Sequence, residues 1–313
     1  MEQIREIGIT EIEGLRIGNA QDAEAGTGVT VLLFGGQGAV AGVCVSGGGP
    51  ASRETPLASP LTADNPINAI VLSGGSAYGL AASDGVMRYL EERGIGFDTG
   101  YAKVPLVCQS CIYDLGFGSS SVRPDASMGY AACENARRGT PSMGNVGAGA
   151  GASVGKLRGM ERATKSGLGY HAVELGALQM AAVVVVNALG DVFDPALGRK
   201  IAGLRSEDGN GFVDTCEELW SMGRRDSLFT DNTTIGAVVT NGRFSKAQMN
   251  KIASMATNAY ARCIDPVGTM ADGDTLYAAS VGTVEADINV AGTLAARVME
   301  RAIVKAVEAA GRE

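Results

Sequence analysis

The chain has 313 residues, 45% hydrophobic and 19% charged, with a formal net charge of -8. This is enough chain to bury a sizeable core in one large domain or two ordinary ones, and an acidic chain without a basic block is a poor partner for nucleic acid or an anionic membrane. No stretch has the ~18 unbroken apolar residues of a spanning helix, and the start Met1-Glu2-Gln3-Ile4-Arg5-Glu6 has neither the basic head nor the apolar run of a signal peptide.

Two counts narrow the chemistry. The six cysteines, Cys44, Cys108, Cys111, Cys133, Cys216 and Cys263, are too few for a disulfide framework in a chain this long. Cys108-Gln109-Ser110-Cys111 has C-x-x-C spacing, but no second pair or matching histidines complete a zinc site. Free thiols and a reducing cytoplasm fit. His171 is the single histidine. It lies in Gly169-Tyr170-His171-Ala172-Val173 with no motif around it and reads as a surface or hydrogen-bonded structural residue. A histidine-based hydrolase would have to use it, and a His-based metal site is nearly excluded.

In chain order, residues 12–19 read as a short lead-in packed on the domain. Residues 29–34 and 39–46 are β-rich runs separated by Gly35-Gly36-Gln37-Gly38, a hairpin signature. Residues 47–64, rich in Gly, Pro and Ser, form a loop, and 69–72 a buried strand. A helix opens after Ser73-Gly74-Gly75-Ser76, runs to about Arg93 and closes at Gly94. Residues 95–97 and 104–107 are short strands, and Pro124-Asp125 starts a second helix to about Arg138. After a Gly/Ala/Ser stretch (144–155), residues 177–187 are the most apolar run and a core strand. Residues 206–231 read as loop or linker, and 234–240 as a strand. Ser245 with Gln248 forms a capping box for a helix with Met249, Ile252, Ala253, Ala256 and Tyr260 on its apolar stripe. A strand (275–281) and a long Ala-rich helix (about 285–310) finish the chain. Glycine, at 45 residues, is roughly twice its usual share of about 7%, mostly in short loops between these runs. The mix lacks strict β-α-β alternation, which favours helices layered outside antiparallel-rich sheets.

Several stretches could carry chemistry. A Walker loop ending at Gly155-Lys156 would need glycine at 150 and Ser or Thr at 157; Ala150 and Leu157 stand there. The stretch is either a closely packed loop or one that presents Lys156 to a site. Asp272-Gly273-Asp274 sets two carboxylates around a glycine before a strand. They are either solvated turn residues or a pair that orients an amine and shares a proton. Asn187, at the end of the apolar run, is either a strand-end cap or a side-chain amide donor to an oxyanion. Thr233, in Asp231-Asn232-Thr233-Thr234-Ile235-Gly236, begins a buried strand. Were the preceding bond cut, base and nucleophile would sit on one residue.

Seven short motifs, spanning about Asn19 to the C-terminus, resemble the DmpA family of aminopeptidases: L-aminopeptidase/D-amidase-esterases, β-peptidyl aminopeptidases and nylon-oligomer hydrolases. They are Ser73 through Leu80 with Asp84-Gly85-Val86-Met87, Val104-Pro105 with Tyr113-Asp114-Leu115-Gly116, Arg123-Pro124-Asp125 with Gly129-Tyr130-Ala131-Ala132, Gly151 through Lys156, Asn187-Ala188-Leu189-Gly190-Asp191, Asn232 through Gly236, and Thr269-Met270 with Asp272-Gly273-Asp274-Thr275.

The resemblance implies an α+β fold, a four-layer α/β/β/α sandwich of the type shared with ornithine acetyltransferases. It implies one domain over 1–313 that cuts itself between Asn232 and Thr233 into pieces 1–232 and 233–313. Thr233 is then the threonine nucleophile, Lys156, Asn187, Asp272 and Asp274 its catalytic partners, and Tyr113 a substrate-binding residue. The expected activity is hydrolysis of the amide of an N-terminal amino acid or small amino-acyl amide or peptide through an acyl-Thr233 intermediate, in a cytoplasmic homo-oligomer, a tetramer, with no metal or cofactor. An acyltransferase of the same fold and an uncut ligand-binding relative are the alternatives. Gly268 and Ala271 stand where the family often has bulkier residues, which should widen the site.

Overall fold

The structure, a computed structural model, describes residues 3–136, 141–223 and 232–311. The first part of the chain forms β1 (Ile4–Glu6), β2 (Leu15–Asp22), β3 (Thr27–Phe34), β4 (Val40–Val45), β5 (Ala51–Arg53), β6 (Ala69–Ser73), α1 (Ala82–Glu91), β7 (Val107–Cys111) and α2 (Ala126–Asn135). Next come β8 (Leu168–Leu175), β9 (Leu178–Asn187), α3 (Thr215–Met222) and β10 (Thr233–Gly242). The last part holds α4 (Lys246–Ala256), α5 (Asn258–Cys263), β11 (Thr275–Val284) and α6 (Ile288–Ala310).

Two sheets carry the fold. One has six strands in the order β1-β8-β9-β10-β11-β4, and the other five in the order β2-β3-β6-β7-β5. Strand alternation assigns each side chain to a layer. Ala181, Val183, Val185, Ile235, Ala237 and Val239 point between the sheets, where they meet Leu32, Phe34, Ile70 and Leu72. Their neighbours Ala182, Val184, Val186 and Val238 face α4, α5 and α6. Val29, Val31, Leu33 and Val71 of the second sheet face α1 and α2. The result is a four-layer α/β/β/α sandwich. Strands covered on both faces read as unbroken apolar runs, and each fully buried Val or Leu contributes about 1.5–3 kcal/mol relative to exposure.

Several expectations hold and several change. The strands at 69–72 and 177–187, the helix opening after Ser76 and the capping box at Ser245 with Gln248 are all present. The hairpin expected across 29–46 is absent. β3 lies in the five-stranded sheet and β4 at an edge of the six-stranded one, so Gly35–Gly38 carries the chain between layers. Both runs are apolar on both faces, and that pattern does not name a partner. A true hairpin lies at β8 and β9, joined by Gly176 and Ala177, with Gly176 at φ 57°. Residues 15–19 of the lead-in belong to β2, paired along its length with β3. The loop expected over 206–231 contains α3, whose N-cap Asp214 accepts the Glu217 N–H at 3.0 Å. The rest of that stretch, 224–231, and the expected helix end at Arg138 lie outside the described residues.

The helices pack close against the sheet at glycines. A Cβ on Gly169 of β8 would lie 2.2 Å from the Ala302 carbonyl oxygen of α6. Gly42 of β4 stands in the same relation to Met249 of α4. Gly169→Val is therefore expected to destabilise the fold by about 3 kcal/mol through overpacking. Gly211→Ala, where a Cβ meets nothing within 4 Å, should leave the melting temperature unchanged. Thermal melts of the two variants beside the wild type check this.

Candidate active site

Strand direction assembles the site. β9 runs antiparallel to β10, so its last residue, Asn187, pairs with the first of β10, Thr233. β10 and β11 run parallel, with Ile235 beside Thr275, so both begin at the same end of the sheet. A parallel bridge from Asn232 to Asp272 continues that register beyond the start of the paired strands. The segment after β9, the segment before β10 and the acidic turn before β11 thus meet at one sheet end. Lys156 arrives from the loop after the short strand Ser153–Val154 and donates from Nζ to the Asn187 carbonyl at 3.1 Å.

The Asn187 side chain is fully buried and bonded at both ends. Its Oδ1 accepts the Ser153 N–H at 3.1 Å, and its Nδ2 donates to the Tyr113 carbonyl at 3.0 Å. Tyr113 therefore enters this network through its main chain.

The Asn232-Thr233 peptide is nearly sealed, with Thr233 5% exposed. The Thr233 hydroxyl donates to the Asn232 carbonyl oxygen, and the Gly273 N–H donates to the same oxygen at 2.9 Å. Two donors on one carbonyl polarise it. Gly273 fits because it has no side chain: a Cβ there would lie 2.9 Å from both Thr233 Oγ1 and the Gly49 carbonyl. Residues 46–49 cover the turn. The Gly49 N–H bonds the Asp272 carbonyl, and the Ser46 and Gly47 N–H groups bond that of Asp274.

Both carboxylates are buried and held by main-chain donors. Asp272 Oδ2 accepts the Thr269 N–H at 2.8 Å and the Thr269 hydroxyl at 2.7 Å. Asp274 accepts the Thr234 N–H at 2.6 Å on Oδ1 and the Gly268 N–H at 3.0 Å on Oδ2. Burial pushes Asp272 above the usual carboxylate range, against the pull of Thr269 and the Lys156 charge. Burial and the neighbouring Asp272 push Asp274 up to about 7. The pair therefore holds a proton more readily than two exposed carboxylates would.

Lys156, Asn187, Asn232, Thr233, Asp272 and Asp274 are brought together here, and Tyr113 contributes its main-chain carbonyl. Two participants went unassigned from the sequence. Gly273 supplies an N–H to the Asn232 carbonyl, and Thr269 holds Asp272. The signal for Gly273 was its place between two carboxylates, where only a residue without a side chain clears Thr233. His171 stands apart on β8, with Lys305 Nζ 3.0 Å from its Nδ1 and Glu6 at 3.4 Å. Burial, with help from Lys305, lowers it to about 4, so it is neutral. The neighbouring apolar cleft of about 260 Å³, lined by Leu294, Val298 and Val304 among others, includes none of the residues gathered around Thr233.

The model of Peptidase family S58 matches residues 8–312. An uncharacterised aminopeptidase of Mycobacterium tuberculosis is 38% identical, covering 97% of this chain and 90% of the relative. A 6-aminohexanoate-oligomer endohydrolase of a Kocuria species is 33% identical over 95% of this chain and 85% of its own length. Among solved structures, the L-aminopeptidase D-Ala-esterase/amidase of Ochrobactrum anthropi, described as a variant of the Ntn hydrolase fold, superposes with a TM-score of 0.71. That alignment covers 97% of this chain and 86% of the other at 17% identity, a likeness of fold.

The raised carboxylates have a consequence for stability. From an ordinary carboxylate pKa near 4 up to about 7, folded Asp274 keeps a proton that the unfolded chain has lost. Stability from this group therefore falls as pH rises through that window. His171, lowered to about 4, contributes the opposite slope below its unfolded value. Melting temperatures of Thr233→Ala and of Thr233→Ala with Asp274→Asn, measured from pH 5 to 8, should show the decline flattened in the second chain. His171 is common to both and cancels in the comparison.

Proposed function

The chain belongs to Peptidase family S58, and on that footing we propose that it is a self-processing hydrolase of peptide or linear amide bonds whose nucleophile is Thr233. The observation that carries this reading is the arrangement at one carbonyl. The Thr233 hydroxyl and the Gly273 N–H both engage the Asn232 oxygen, next to Lys156 and two buried carboxylates.

In processing, the Thr233 oxygen attacks the Asn232 carbonyl carbon. The new C–O bond forms as the C–N bond breaks, and the hydroxyl proton ends on the released amine. Water then hydrolyses the ester, leaving an Asn232 carboxylate and a Thr233 with free hydroxyl and free α-amine. A substrate carbonyl attacked by the same oxygen takes the place vacated by the Asn232 carbonyl. The α-amine of Thr233, or Lys156, accepts the hydroxyl proton and passes it to the leaving amine. Water releases the acyl group from Thr233 in the second half. The Gly273 N–H meets the developing oxyanion in both reactions; a donor of this kind contributes roughly 3 kcal/mol to the barrier. Asn187, whose amide is oriented by Tyr113 and Ser153, lines the same point on the opposite strand. Asp272 and Asp274 suit an ammonium, either that of Thr233 or that of an amino-acyl substrate.

Wild-type protein should therefore separate on a denaturing gel into pieces 1–232 and 233–313, while Thr233→Ala stays a single full-length band. Cleavage in that variant would show that another residue cuts. Release of p-nitroaniline from aminoacyl p-nitroanilides, with water as the only acceptor, distinguishes hydrolysis from acyl transfer. Gly273→Ala keeps the N–H but crowds Thr233 Oγ1. Misplacing the oxygen in this way should slow self-cleavage on the order of 100-fold, read from a time course of intact mass.

A further inference from the structure

The Lys156 charge reaches one carboxylate that this chemistry does not use. Its charge acts on Asp272 and Asp274, and also on Asp114. Asp114 lies just after β7 and is 5% exposed. Its Oδ1 accepts the Gly75 N–H at 2.7 Å, and its Oδ2 accepts the Thr27 hydroxyl at 2.7 Å. Glycines close around it. A Cβ on Gly74 would lie 1.9 Å from Oδ2, and one on Gly151 would lie 2.7 Å from the Asp114 Cβ. Gly151 belongs to the Gly/Ala stretch that leads to Lys156, so this carboxylate and that stretch are packed as a unit.

A buried carboxylate is costly to keep without donors, and this one is tied to the ends of two strands of the five-stranded sheet. The residue before it supplies the Tyr113 carbonyl that takes the Asn187 amide of the six-stranded sheet. One turn thus joins the two sheets at the site, anchored on one side by Asp114.

We propose that Asp114 is a positioning residue of this active site: it fixes the turn after β7 so that the Tyr113 carbonyl orients the Asn187 amide beside Thr233, and it sets a third negative charge toward Lys156. The inference rests on the hydrolase reading above. Burial pushes the Asp114 carboxyl up, opposed by the Gly75 N–H, the Thr27 hydroxyl and the Lys156 charge. Among the described residues, a further titratable group that Asp114 acts on is Cys111, a buried thiol pushed up to about 12. Among the described residues, the Lys156 charge draws down the carboxyls of Asp114, Asp272 and Asp274. Loss of one negative charge favours the neutral form of an amine base in their midst.

The test uses the full chain carrying Asp114→Asn or Thr27→Val, each checked for folding by thermal melt. Self-cleavage and the kcat and KM for an aminoacyl p-nitroanilide are followed across pH. Both variants should lose roughly tenfold or more in kcat with KM little changed. Asp114→Asn should in addition move the acid limb of the kcat/KM profile down by about half a unit or more. A kcat within twofold of wild type in both folded variants overturns the proposal. So does a loss that is equal at every pH in Asp114→Asn, which marks a purely structural residue. If Asp114→Asn does not fold, Thr27→Val decides alone: a reduced kcat at unchanged KM supports the assignment, and a wild-type kcat overturns it. A wild type that neither cuts itself nor hydrolyses amides sinks the hydrolase reading and this inference with it, whereas an active wild type matched by its variants sinks the Asp114 assignment alone.

Discussion

The two neighbours of β10 run in opposite senses, and the rest of the site depends on that. An antiparallel partner brings its last residue to the first residue of β10, and a parallel partner brings its own beginning there. Asn187, Thr233 and the acidic turn at 272–274 are far apart in the chain, yet register alone sets them side by side. A one-residue slip would turn Thr233 from the inter-sheet layer to the helix side. The apolar alternation of β9 and β10, filled on both faces, opposes such a slip along the whole length of both strands. The core and the chemistry are in this sense one specification.

The electrostatics follow from the burial that this packing imposes. Asp272 and Asp274 are out of water, and each is held by main-chain N–H groups from a neighbouring turn or strand. Those donors offset part of the desolvation, and Lys156 offsets more, yet both carboxyls remain above their ordinary range. Two buried carboxyls raised in this way, within reach of the Lys156 charge, can take up or release a proton with little rearrangement. In the hydrolase reading this substitutes for the imidazole of a Ser-His-Asp site, and it agrees with a chain whose one histidine lies neutral against α6.

Much of this was legible in the sequence because strand ends carry polar residues for reasons of hydrogen bonding. Asn187, Thr233 and Asp272-Gly273-Asp274 stand out where apolar runs begin or stop. What sequence could not supply was partnership. The runs at 29–34 and 40–45 are apolar on both faces, and nothing in their composition says that they belong to different sheets. α3 was hidden in a polar stretch whose helix signal is one Asp cap and two turns. The Gly/Ala stretch before Lys156 reads as a loop, and its glycines are pressed against Asp114 and the neighbouring backbone, a packing that composition does not announce. Likewise the Gly273 N–H and the Tyr113 carbonyl are main-chain groups, which every residue carries, so no residue type announces them.

β10 is an interior strand, gripped by β9 on one side and β11 on the other. A chain severed at 232–233 would leave β10, β11 and α4–α6 on one piece and the other four strands of the same sheet on the other. The six-stranded sheet would be complete in neither piece. Unfolding, a unimolecular event in the intact chain, would become dissociation, and its midpoint would shift with protein concentration. Regain of structure after dissociation would need two partners to find each other with unpaired strand edges exposed, which favours aggregation. The position of one peptide bond within the sheet would thus make maturation a one-way step for folding as well as for covalent structure.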